Sequence, residues 1–241
     1  MLIYVVNTSQ NIKSTEFNKV IRAIKKQVKY DWTPSWSMPA TIKSKKIDNL
    51  GVQAPELNAA DVILYVGELT DDPQAVDQAL GYHSLNYSGI PYGFVFTDVV
   101  AKYGEEWSVT LSHEVLELIA DPDVNLLVVA PHPTKARSQC LLSYEVCDPV
   151  QGDIYEIDGV KVSNFVTPLY FAQGTKPDVT TNFMKLNLKQ YGVRPNGYLA
   201  YLDLADGQWK NVFGEGAEAR TQAKAALGLA RRNARKNEML K

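Results

Sequence analysis

The chain is short of the residues that most often carry metal and redox chemistry: 241 residues contain two cysteines and three histidines. The spacing of Cys140 and Cys147 matches no zinc signature, and both read as ordinary reduced thiols in a β region. Reduced cysteines fit an intracellular protein. The N-terminus lacks a basic region followed by a cleavable apolar core, so no signal peptide is expected, and the compartment implied is the cytoplasm. No apolar run approaches the roughly 20 residues of a membrane-spanning helix, so no membrane partner is expected. Internal repeats and low-complexity tracts are absent. The net charge of −2 is too small to predict a nucleic-acid partner from overall charge. The apolar and charged fractions, 45% and 22%, are those of an ordinary globular protein with a sizeable core.

One absence is local. From Tyr103 to Thr134 there is no lysine or arginine, yet Glu105, Glu106, Glu114, Glu117, Asp121 and Asp123 fall there. From Tyr103 to Val160 two bases stand against eleven acids, a formal charge of −9. Inside this segment the periodicity predicts a helix from about Glu106 to Ala120, ended by Asp121-Pro122. At 100° per residue, Trp107, Leu111, Val115, Leu118 and Ile119 share one side, widened by Val109, Leu116 and Ala120. A narrow polar stripe is left: Thr110, His113, Glu114 and Glu117. A solvated stripe would carry lysine or arginine beside the carboxylates. This one has none, so its polar groups are expected to converge in a buried place. Carboxylates gathered near a buried histidine repel one another unless they are protonated or a cation sits among them. A divalent metal, zinc first, is the expected cofactor; a buried ion-pair network is the alternative.

His113-Glu114-x-x-Glu117 resembles the zincin metallopeptidase motif, His-Glu-x-x-His, which supplies two zinc ligands and a catalytic glutamate. Glu117 stands where zincins carry their second histidine, and a carboxylate ligand lowers the Lewis acidity of the metal. The resemblance implies His113 and Glu117 as metal ligands and Glu114 as general base. A third ligand is expected from downstream: Glu145 first, then Asp148, then Asp123, which lies ten residues after His113. Tyr144 and Tyr155 are the candidates to steady an oxyanion. His132, between two prolines, reads as a rigid loop residue. His83 reads as a surface or satisfied core histidine, with a pocket-lining role as the alternative.

The order of elements resembles zincins as well: strand, helix, strand, strand, edge strand, active-site helix. Leu2–Val6, Ala40–Ile47 and Asp61–Val66 read as strands, and Thr15–Lys29 as a helix with Ser14 as cap. Tyr92–Phe96, preceded by Pro91, reads as the edge strand. Beyond the site helix the character turns to β: Asn125–Val129, Gln139–Val146, a hairpin about Asp158-Gly159 (Asp153–Ile157 with Val160–Val166), and a second about Asp206-Gly207 (Gly197–Asp203 with Gln208–Val212). In the zincin reading the first hairpin forms the lower wall of the cleft.

The fold class expected is α+β: a zincin-like mixed sheet with an active-site helix, a β-rich C-terminal extension and a terminal helix. The segments are 1–124, 125–215 and 216–241. The last holds Arg220, Lys224, Arg231, Arg232, Arg235, Lys236 and Lys241 against Glu218 and Glu238, with Ala223, Leu227, Ala230 and Ala234 as a thin apolar stripe. It reads as a solvated terminal helix, with self-association, an acidic partner or nucleic-acid phosphates as alternatives. The function expected is a zinc-dependent peptidase or hydrolase acting on a peptide or protein. The rival is a non-catalytic structural or interaction protein on the same scaffold, assembling through its basic C-terminal helix.

Overall fold

The computed structural model describes residues 1–47, 54–69, 80–85, 90–174, 179–217, 221–222, 224–226 and 228. It is an α+β protein in two compact units. The first comprises Met1–Val124 with Ile154–Ser163; the second comprises Asn125–Asp153 with Asn164–Lys241. Among the described residues no helix is long and apolar enough to cross a membrane.

The first unit is built on a five-stranded sheet. Its strands are β1 (Leu2–Asn7), β2 (Thr41–Lys46), β3 (Val62–Gly67), β4 (Gly81–Leu85) and β5 (Pro91–Phe96), in the order β2-β1-β3-β5-β4. All pairs are parallel except β4–β5. The apolar run of β1 is buried from Ile3 onward, as a central strand covered on both faces requires. The antiparallel edge is β4, not Tyr92–Phe96 as the sequence leads one to expect. Strand β5 lies inside, between β3 and β4, and tolerates Pro91 because a proline at the first strand position withholds no interior ladder donor.

Helix α1 (Ser14–Lys26) buries Phe17, Val20, Ile21, Ala23 and Ile24. Its N-cap is Lys13, extended and without a side-chain cap bond; Ser14 is already helical, so it is not the cap. After Lys26 the coil widens into a π-turn over Gln27–Trp32, where an α-helix to Lys29 is expected from periodicity, and then tightens into α2 (Thr33–Trp36). The Thr33 hydroxyl donates to the Val28 carbonyl (2.6 Å), and Trp32 stacks on Trp36. Helix α3 (Thr97–Lys102) leads from β5 into α4 (Trp107–Ala120).

The hairpin of β8 (Ile154–Ile157) and β9 (Val160–Ser163) turns at Asp158 and Gly159, both with left-handed φ (53° and 69°), the two-residue geometry its sequence predicts. It belongs to the first unit rather than with 125–215. The reason is a set of directed polar anchors. The Ser163 N–H donates to Ser112 Oγ (2.7 Å), and Ser108 Oγ donates to the Lys161 carbonyl (2.8 Å). Gln27 Nε2 donates to the Ser163 carbonyl (2.9 Å) and the Tyr155 hydroxyl to Asp31 (2.9 Å).

The second unit holds β6 (Leu127–Pro131), β7 (Gln139–Ser143), β10 (Tyr198–Asp203) and β11 (Gln208–Phe213) in one antiparallel sheet, order β11-β10-β7-β6. Gly207, with φ 65°, makes the turn between β10 and β11. Cys140 and Cys147 are buried and unbridged, and burial pushes the Cys140 thiol up to about 11, further raised by Asp203. Of the terminal helix, Thr221, Gln222, Lys224, Ala225, Ala226 and Gly228 are described and helical; its apolar stripe and its arginines lie outside the described residues.

Asp203 is the polar hub of this unit. Its Oδ2 accepts from Lys135 Nζ and Lys210 Nζ, each at 2.7 Å, and its Oδ1 from the Ala205 N–H (3.0 Å). These donors, Lys135 and then Lys210 foremost, hold its carboxyl far below the usual carboxylate range. A depressed folded-state pKa contributes stability above the unfolded value, about 3.9 for aspartate, and that stability is lost as pH falls further. Amides of β10 and β11 are therefore expected to lose hydrogen-exchange protection below about pH 4, with the acid-dependent step absent in Asp203→Asn. An acid response identical in the two proteins would refute this role.

Candidate metal centre on helix α4

Helix α4 starts from an extended Glu106 and closes at Asp121, whose N–H donates to the Glu117 carbonyl (2.8 Å). Ser108 and every residue from Thr110 to Ala120 are buried, and the helix carries no basic residue. The apolar majority drives that burial; each polar side chain then needs a partner inside. Ser108 and Ser112 find theirs on β9. His113, Glu114 and Glu117 find theirs in one another and in a residue from the sheet edge.

That residue is His83. Side chains alternate across a strand, so Gly81 and His83 share one face of β4 and Tyr82 takes the other, against Phe94 and Phe96. The Gly81–His83 face meets α4. A Cβ at Gly81 would stand 2.8 Å from Thr110 Cγ2 and 2.8 Å from the Phe94 carbonyl, so the missing side chain lets helix and edge strand approach closely. His83 Nδ1 then lies 2.8 Å from Glu114 Oε2 and 3.6 Å from Glu117 Oε2. The other Glu117 oxygen lies 3.1 Å from His113 Nε2, the i, i+4 contact that the helix dictates. Glu117 thus bridges the two histidines. The four residues are 1% to 7% exposed.

Two buried carboxylates need two positive charges. Protons on both imidazoles supply them, and so does one divalent cation. The donor set suits the second solution: His83, Glu114 and Glu117 each offer a ligand atom, all within 4.8 Å of one another. The separations of 2.8 and 3.1 Å are also those of hydrogen-bonded pairs, so the fit to a cation rests on the chemistry of the donors and their burial. Nitrogen and carboxylate donors suit zinc, and equally manganese or iron.

No family model, curated protein or solved structure matches this chain.

Of the residues singled out from sequence, His113, Glu114 and Glu117 come together. Asp123 is exposed beyond the helix end. Glu145 and Asp148 are buried in the second unit, where Glu145 Oε1 accepts from Ser143 Oγ (3.3 Å) and Asp148 Oδ1 from Lys224 Nζ (3.2 Å). Tyr144 stacks on Phe171, and the Tyr155 hydroxyl is committed to Asp31, whose carboxyl burial pushes above its usual range. His132 is the rigid loop residue expected: its Nδ1 accepts the N–H groups of Thr134 (3.2 Å) and Lys135 (3.0 Å). His83 is the residue that periodicity on the helix does not reach. Its sequence signal is Gly-x-His, a glycine and a histidine on one face of a strand.

Proposed function

We propose that this protein is a metal-dependent hydrolase of zincin type, with its centre at His83, His113, Glu114 and Glu117 in the first unit. The observation that carries the reading is the burial of Glu114, Glu117 and His113, on a helix without lysine or arginine, against His83 of β4. The element order adds support: β1, α1, β2, β3, an edge strand β4, β5 and then the site helix follow the zincin sequence with one strand and the short helices α2 and α3 inserted. His113 and Glu117 would hold the cation, and the substrate would be a peptide or protein.

A bound divalent cation would supply Lewis acidity and a water made acidic enough to react near neutral pH. The chain's own residues have separate tasks. Glu114 is the general base, its carboxylate kept in one rotamer by the 2.8 Å contact with His83. Glu117 orients His113 through one oxygen and faces His83 with the other. The carboxylate in place of a second histidine adds negative charge, which reduces the Lewis acidity the site can deliver and favours slow or selective hydrolysis over broad proteolysis.

Burial favours a second reading. Catalytic zinc sites keep an open position, whereas structural ones are closed. With Glu114 at 1% and Glu117 at 2% exposure, the centre also suits a closed metal or ion-pair cluster that holds β4 to α4 in a non-catalytic protein. Elemental analysis of protein purified without chelator or affinity metal separates the outcomes. Near-stoichiometric metal, lost in His113→Ala and in Glu117→Ala, is expected, with a rise of about 4 kcal/mol in stability at a zinc concentration 1,000 times Kd. Metal without hydrolysis of any member of a peptide library would leave the closed centre standing. No metal and no thermal shift would refute both metal readings.

A further inference from the structure

The charge of this chain is distributed unevenly in a second place. Residues Met1–Ile47 hold nine lysines and arginines against Glu16 and Asp31, a formal charge of +7 in a protein whose net charge is −2. Helix α1 buries its apolar side, which leaves Arg22 and Lys25 exposed, and Lys29 is exposed on the π-turn that follows. Strand β2 packs beside α1 as the free parallel edge of the sheet, with Lys43 exposed and Lys45 half-buried on it. Beside them is a shallow, open cavity of about 440 Å³ lined by Tyr4, Lys25, Lys43, Ser44, Lys45 and Glu56. Glu56 is its one acid, and it is paired to Lys45. Next to the exposed Lys29, Tyr30 is 60% exposed, with the Lys29 ammonium 4.8 Å from its ring centroid.

We propose that this α1–β2 face binds the phosphate backbone of single-stranded nucleic acid. Lysines on an edge strand commonly serve to prevent strand-to-strand association. That accounts for Lys43 and Lys45 but not for Arg22, Lys25 and Lys29 gathering beside them from a helix. An anionic membrane surface fits less well. Interfacial helices insert apolar side chains, and Phe17, Val20, Ile21 and Ile24 all point into the core. What the face offers instead is cations with an exposed aromatic ring, the combination on which single strands track their phosphates and stack a base. Its helical part runs from Arg22 in α1 to Lys29 in the π-turn that follows, about 10 Å at roughly 1.5 Å per residue. With β2 alongside, that accommodates about four phosphates.

The inference is independent of the metal centre and is tested on the 241-residue chain. Anisotropy of a fluorescein-labelled 20-nucleotide oligo(dT) is measured between 50 and 200 mM salt. Four neutralised phosphates give a log–log slope near −2.8, so affinity is expected to fall about 50-fold over that range. Lys25→Glu with Lys43→Glu is expected to weaken binding at least tenfold and to bring the slope to about −1.4. The milder Arg22→Gln with Lys29→Gln should act in the same direction, which guards against a folding defect in the first pair. Arg231→Gln with Arg232→Gln should bind as the wild type does. Absence of binding at 50 mM salt would overturn the proposal. So would retention of binding in both face variants, loss confined to the Arg231/Arg232 variant, or binding to phosphatidylserine vesicles in place of oligonucleotide.

Discussion

Glu114→Gln is expected to cut hydrolysis by about 10²- to 10⁴-fold, the usual contribution of a positioned general base, while bound metal stays near stoichiometric. The amide keeps the shape of the side chain and an acceptor oxygen but cannot take a proton. The measurement is kcat on whichever library peptide the wild type cleaves, with metal content determined on the same samples. The geometry makes the second readout necessary. Glu114 Oε2 lies 2.8 Å from His83 Nδ1, and the group His83, Glu114, Glu117 is itself compact enough to hold a cation. If rate and metal content fall together, Glu114 is a ligand and not the base. An unchanged rate with full metal occupancy would remove Glu114 from the chemistry.

His83→Ala carries the largest expected effect on stability. Removing one partner from a buried ionic pair typically costs about 3–5 kcal/mol, because the remaining charge has lost water and partner alike. Here the loss falls where the edge strand meets the site helix: the substitution empties the only imidazole contributed by β4 and opens space beside Gly81. Urea unfolding of the wild type, His83→Ala and His83→Gln measures it. Glutamine keeps a donor toward Glu114 and should recover much of the difference. A cost below about 1 kcal/mol for alanine, the scale of a surface pair, would mean that the His83–Glu114 contact contributes little and that apolar packing alone holds β4 to α4.

Much of this architecture was legible from local pattern. The bounds of α4, the two-residue turn at Asp158-Gly159, the place of the β10–β11 turn and the strands β1 and β3 follow from periodicity and from Asp-Gly pairs, because those signals act over a few residues. The convergence of His113, Glu114 and Glu117 was legible for the same reason: residues at i, i+1 and i+4 on a helix that is apolar elsewhere have one direction left. The order of strands in the sheet was not. Whether β4 or β5 forms the edge depends on pairings across the sheet, and Pro91 is compatible with either place. The end of α1 was missed as well, since the Thr33–Val28 bond that accompanies the widened turn lies beyond the stretch where periodicity speaks.

By itself, the sequence determined that a buried helix would gather two carboxylates and a histidine without a basic residue to balance them. That follows from 3.6 residues per turn and from the identity of the side chains, and no distant contact is needed to know it. Tertiary structure alone decided what balances them. His83 reaches Glu114 and Glu117 because β4 pairs antiparallel at the sheet edge in the register that sets His83 opposite Gly93. Gly81 on the same face lets the helix come close enough for a 2.8 Å contact. A separation of 31 residues carries no periodicity, so only the packing of helix on sheet could bring that pair together.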